Sequence, residues 1–138
     1  MAKRTRHQAP PHRLILDAGA IIALSRADQR ARAALAAAVE AGADVSIPAV
    51  VVAETVRDGT ADAPVNRIIK AVGDVSAADE RVGRTAGRLL ADAGSDSTID
   101  ALVVASAIDA GGTVILTGDP DNLRALAGDR PGVVMQAL

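Results

Sequence analysis

Four acidic residues stand beside or within apolar runs. Asp17 closes the run Arg13-Leu14-Ile15-Leu16, and Glu54 lies inside the stretch from Val50 to Val56. Asp100 opens the run Asp100-Ala101-Leu102-Val103-Val104-Ala105, and Asp119 follows Val114-Ile115-Leu116. A carboxylate beside buried apolar residues is costly unless it is paired or holds a metal ion. Several carboxylates at converging chain ends repel one another and need cations between them. Donors that are all oxygen select hard ions such as Mg²⁺ or Mn²⁺. Such ions activate water and stabilise charge on a phosphate during in-line displacement.

Each acid also has an ordinary reading. Asp17 and Asp119 are both of the type favoured at a helix N-cap, and taken singly each reads better as a cap. Glu54 could lie on a solvated helix face. Asp100 could be an acid in the first turn of a helix, where the dipole favours it. The combination carries the argument.

The elements that must position these acids follow from hydrophobic periodicity and breaker residues. Arg13 to Leu16 reads as a buried strand, followed by a tight turn at Ala18-Gly19 and a short helix from Ala20 to Leu24. Asp28 to Ala41 is an Ala-rich helix with Gly42 as its stop. Val45 to Ile47 is a second strand ended by Pro48. Helices are expected over Ala49 to Arg57 and Ala63 to Val72, with a brief strand at Asp74 to Ser76. Ala77 to Ala93 reads as a helix with Val82, Ala86, Leu89, Leu90 and Ala93 on one face. The next helix, capped by Ser97 or Thr98, runs to about Ala110 and stops at Gly111-Gly112. Thr113 to Leu116 is a strand, Asp121 to Ala127 a helix, and Val133 to Met135 a last strand. Strands alternating with helices imply a three-layer α/β/α sandwich around a mostly parallel sheet. In such sheets ligands bind beyond the carboxyl ends of the strands, where Asp17 and Asp119 would both lie.

Composition narrows the function. The chain has 138 residues, enough for one domain, and nearly half of them are apolar. It has no Phe, Tyr or Trp, so the core must be packed with Ala, Val, Leu and Ile, and base stacking on aromatic rings is ruled out. With no Cys, disulfide scaffolds and thiolate chemistry are excluded. Both histidines, His7 and His12, fall in the basic, Pro-containing segment 1–12, read here as a flexible arm before a single domain over 13–138. A His–His acid/base ribonuclease site is therefore not expected. No apolar run reaches the length of a membrane span, and no signal-peptide pattern is present. The net charge is −2, so nucleic-acid binding would have to come from local basic patches. The candidates are Arg26, Arg30 and Arg32, which follow the first acidic turn, together with Arg57 and Arg124. Each taken singly reads as an ordinary solvated charge.

Together these elements resemble PIN-domain ribonucleases. The segment Leu14 to Ala20 is similar to the opening strand and acidic turn of that family. Pro48 to Glu54, Asp100 to Ala107 and Thr117 to Leu123 are similar to its second, third and fourth acidic elements. Within the family, the small size and the Asp-Pro-Asp loop look most like VapC toxins. The resemblance implies a Rossmann-like fold and a Mg²⁺-dependent endoribonuclease (Mn²⁺ in its place) in which Asp17, Glu54, Asp100 and Asp119 are the catalytic, metal-binding acids. It also implies a cytoplasmic homodimer neutralised by a VapB-like antitoxin. Many relatives carry Ser or Thr where Gly19 stands, so a backbone group would replace that hydroxyl here. Asp96, four residues before Asp100, is on the same helical side if the helix extends that far, and is then either a supporting acid or a cap. Asp121 is a similar case. Thr117 either orients a carboxylate or contacts phosphate, or else stabilises its turn. Two other functions compete. A PIN fold that only binds RNA or a partner would lack metal-dependent cleavage. A phosphorylated receiver domain would need a Lys near the last strands, and Lys3 and Lys70 are both badly placed.

Overall fold

The computed structural model describes residues 13–138, so the N-terminal arm at 1–12 lies outside the described residues. Five strands form one sheet in the order β3-β2-β1-β4-β5, and every pairing is parallel. They are β1 (Arg13–Leu16), β2 (Asp44–Pro48), β3 (Val75–Ser76), β4 (Thr113–Thr117) and β5 (Val133–Ala137). The inner strands β1 and β4 are nearly continuous apolar runs because both of their faces are covered. The helices are α1 (Ala18–Ser25), α2 (Gln29–Glu40), α3 (Ala49–Thr55), α4 (Ala63–Val72), α5 (Glu80–Ala93), α6 (Thr98–Ala110) and α7 (Pro120–Ala127). Helix α1 packs on α2, α3 and α4, while α5, α6 and α7 pack on one another. These are the two outer layers that right-handed crossovers produce from this strand order.

The core is aliphatic, as the composition requires. Leu16, Ile21, Ile47, Leu89, Val103, Val104, Ile115 and Leu116 are fully buried. Shortening any of the buried leucines to Ala would cost about 2–5 kcal/mol, from lost burial and the cavity left behind. Helix α6 contributes Ala101, Val103, Val104, Ala105 and Ala107 to this core. Its small residues let it lie close against the sheet. Among the described residues no helix is long and apolar enough to cross a membrane.

Asp residues set several helix starts. Asp28 Oδ1 accepts from the Ala31 amide at 2.9 Å, and Asp79 Oδ1 from the Val82 amide at 3.0 Å. The Asp79 cap explains why α5 begins at Glu80 and not at the expected Ala77. At the other end of α5, Gly94 takes the left-handed conformation that terminates the helix. The expected turn at Ala18-Gly19 is not found. Asp17 caps α1 directly through the Ala18 amide at 2.8 Å, so the helix starts at Ala18. A parallel strand running straight into its crossover helix needs no intervening loop.

Candidate active site

The acids meet at the carboxyl edge of the sheet. Asp17 leaves β1 there, with its backbone N–H donating to the Leu116 carbonyl at 3.1 Å, which extends the β1–β4 pairing by one residue. Its side chain is buried. One oxygen caps α1; the other, Oδ2, accepts from the Thr117 hydroxyl at 2.9 Å. Thr117 ends β4 and is wholly buried, and its Oγ1 in turn accepts from the Asp119 amide at 3.0 Å. Asp119 caps α7 through a long 3.4 Å bond to the Asn122 amide. Asp100 lies half-buried in the first turn of α6. Its Oδ2 accepts from Asn122 Nδ2 at 2.6 Å. Glu54 lies near the end of the short helix α3, which follows β2 without a gap and touches both α1 and α6.

Electrostatics link these residues. Burial, then the charges of Asp17 and Asp100, push the Glu54 carboxyl above the ordinary range, against the pull of Arg57. Burial, then Asp17 and Asp119, push Asp100 up as well, and the hydrogen bond from Asn122 opposes them. Glu54 is exposed as a residue, so water screens much of its interaction. Glu54 and Asp100 thus feel the charges of acids that come from other elements. The four acids are not drawn into a tight cage: among the described residues, no three or more His, Cys, Asp or Glu side chains are arranged to hold an ion as they stand.

The donor set nevertheless fits a hard divalent cation by its chemistry. It is all oxygen, and its two raised carboxyls favour added positive charge. Asp17, Glu54, Asp100 and Asp119 are the residues that would hold one.

Several expected residues are placed differently. Asp96 lies before the N-cap Ser97 and is therefore not on α6. The expected placement on the same helical side as Asp100 fails, because α6 begins only at Thr98. Asp96 instead offers its backbone carbonyl to the Thr98 amide at 2.9 Å. Asp121 is 94% exposed and pairs with Arg124 at 3.1 Å on the surface of α7. Arg57 turns back to donate to the carbonyls of Ala53 and Val56 at 2.8 and 2.9 Å, closing the end of α3. Arg26, Arg30 and Arg32 are exposed around the α1–α2 corner. The eight residues of α1 set that corner about 12 Å along the helix from Asp17.

Three features escaped the sequence reading. One is Asn122, which touches two of the acids and sits inside the fourth motif. Another is Asp62, which is buried and accepts from the amides of Arg57 at 2.8 Å and Gly59 at 3.2 Å. These bonds hold its carboxyl below the ordinary range and fix the loop that follows Glu54. The third is the close approach of Gly19 to Gly118. A Cβ at position 19 would come within 3.1 Å of the Gly118 nitrogen and 3.3 Å of its Cα. Both are backbone atoms, so a Ser or Thr there would require the β4–α7 loop to move.

Comparisons with known proteins agree with this fold. Residues 14–129 match the model of the PIN domain. A chain of the VapBC2 complex of Rickettsia felis, solved bound to a promoter DNA fragment, is similar in fold with a TM-score of 0.72 at 12% identity. The match covers 91% of this chain and 98% of that one. A chain of a Klebsiella pneumoniae toxin–antitoxin complex gives 0.67 at 18% identity, over 88% and 95%. A chain of FitAcB from Neisseria gonorrhoeae gives 0.62 at 19% identity, over 88% and 95%. No curated protein sequence matches the chain.

Proposed function

The chain belongs to the PIN domain family, and from that premise we propose that it is a divalent-metal-dependent endoribonuclease acting as the toxin of a toxin–antitoxin pair. The observation that carries this reading is that acids from separate elements act together on two carboxyls of one site. Asp17 and Asp119 raise the Asp100 carboxyl, and Asp17 and Asp100 raise that of Glu54. Mg²⁺, or Mn²⁺ in its place, is the proposed cofactor. The chemistry such an ion supplies is activation of a water and neutralisation of charge on the scissile phosphate.

The protein's own groups have separable tasks in this reading. Thr117 fixes Asp17 through Oδ2 and the Asp119 backbone through its amide, so one buried hydroxyl sets two of the acids. Asp17 is further fixed by capping α1. Glu54 and Asp119 are exposed and open to solvent and substrate. The exposed Arg26, Arg30 and Arg32 carry no ion pair among the described residues and are the proposed phosphate contacts. Arg30 and Arg32 stand in the first turns of α2, where the helix dipole disfavours cations, so local stability is not their reason for being there. Arg57 and Arg124 already hold local partners and would contribute charge more than direct contact.

An antitoxin is proposed as the partner, as in the VapBC and FitAB complexes. A groove of ≈ 430 Å³ between α2 and α4 is lined by Leu35, Val39, Ala43, Val45, Ile68 and Val72, with Asp44 and Asp74 beside them. Val39 is 57% exposed there. An amphipathic segment with a basic residue would suit that lining. A homodimer and a cytoplasmic location complete the reading.

Inducible expression in a bacterial host tests it. The wild-type chain is expected to arrest growth with loss of intact RNA, and the Asp17→Asn chain to do neither. A wild-type chain that is harmless and cuts no structured RNA would leave only a partner-binding PIN module.

A further inference from the structure

Asn122 has two unlike contacts that meet at the acids. Its side-chain amide donates to Asp100 Oδ2 at 2.6 Å, and its backbone amide donates to Asp119 Oδ1 at 3.4 Å. Asp100 belongs to α6 and Asp119 to the β4–α7 loop, so one residue spans two elements of the site. The residue sits in the first turn of α7, whose start is set by Pro120. Leu123 and Leu126 are buried and anchor that helix. The amide is therefore presented from a fixed backbone.

We propose that Asn122 is a positioning residue that pins Asp100 by Oδ2 and so leaves Oδ1 as the oxygen available to a divalent cation. The inference rests on the metal-dependent reading above. Its physical logic lies in the choice of a neutral donor. A Lys or Arg here would supply the same hydrogen bond but would also neutralise the site and compete with an ion. An Asp would add a further carboxylate to a group that already repels itself. A carboxamide orients the carboxylate and leaves the net charge of the site untouched. Helices α6 and α7 also pack on one another, and Leu123 and Leu126 of α7 are buried, so this bond is not the helix's sole anchor.

The test is Mn²⁺ binding to the full chain by isothermal titration calorimetry, with thermal melting of the metal-free protein measured alongside. Asn122→Ala is expected to weaken Mn²⁺ binding about 10-fold, as loss of a ligand's hydrogen-bond partner does, with the metal-free melting temperature little changed. Asn122→Leu keeps the bulk without the donor and should show the same loss. Unchanged affinity in either folded variant overturns the role of Asn122 while leaving the metal-dependent reading intact, provided the wild type binds Mn²⁺. If the wild type binds none, both fall. If neither variant folds without metal, Asn122 serves the fold and the proposal is overturned.

Discussion

The hydroxyl of Thr117 donates to Asp17 Oδ2 at 2.9 Å, although the two residues lie 100 positions apart. The same oxygen accepts from the Asp119 amide. Removing it leaves a buried carboxylate oxygen and a backbone N–H without partners. Thr117→Val should therefore cost about 1–3 kcal/mol in a urea melt and should lower RNA cleavage. Thr117→Ser, which keeps the hydroxyl, should recover most of both. A Val variant with wild-type stability and cleavage would show that this bond is dispensable.

A second prediction concerns pH in the absence of metal. The folded-state carboxyls of Glu54 and Asp100 are raised above their ordinary values. Such groups bind protons more tightly in the folded chain. Their contribution is fully present below the unfolded carboxylate range and is lost as pH rises through the folded values. In EDTA, Glu54→Gln should melt higher than the wild type at neutral pH, and the gap should close as pH falls toward about 4. A gap of constant size would show that charge repulsion is not its cause.

Asp62 should behave in the opposite sense. Its carboxyl is held below the ordinary range by the amides of Arg57 and Gly59. The stability it contributes is present above the unfolded value and is lost as pH falls through the lower folded one. Asp62→Ala should thus lower the melting temperature at neutral pH and lose less on acidification than the wild type does. Equal pH profiles would remove Asp62 as the anchor of this loop.

Much of the fold was legible because it rests on local signals. Helix α4 runs from Ala63 to Val72 as the periodicity and Pro64 imply, and β4 is one residue longer than expected. The acidic elements could be read because each sits at the border of an apolar run or, for Glu54, inside one. What was illegible depends on contacts between distant segments or on how a cap resolves. Asp96 could be placed beside Asp100 only by assuming a longer α6. The tie between Asn122 and Asp100 spans 22 positions and has no periodicity to announce it. The close approach of Gly19 to Gly118 is likewise a meeting of the first turn of α1 with the β4–α7 loop, visible only once β1 and β4 are side by side.

Local backbone strain gives a prediction away from the site. Ala27, just after the C-cap of α1, has φ of 60°. That is left-handed backbone, costly for a residue with a Cβ. Ala27→Gly should stabilise the chain by about 0.5–1 kcal/mol, with RNA cleavage unchanged. Chemical denaturation reads the difference, and a less stable Gly variant would place the unfolded-state entropy above the strain.

The central claim is that these carboxylates cut RNA by holding a divalent cation. The most direct measurement is cleavage of a single-stranded RNA by purified protein stripped with EDTA and then supplied with Mg²⁺, alongside Asp100→Asn. The account predicts no cleavage after stripping, restored cleavage on adding Mg²⁺ to the wild type, and almost none in the variant at any Mg²⁺ concentration. Cleavage that persists in EDTA, or an Asp100→Asn chain that cuts at the wild-type rate, would contradict it.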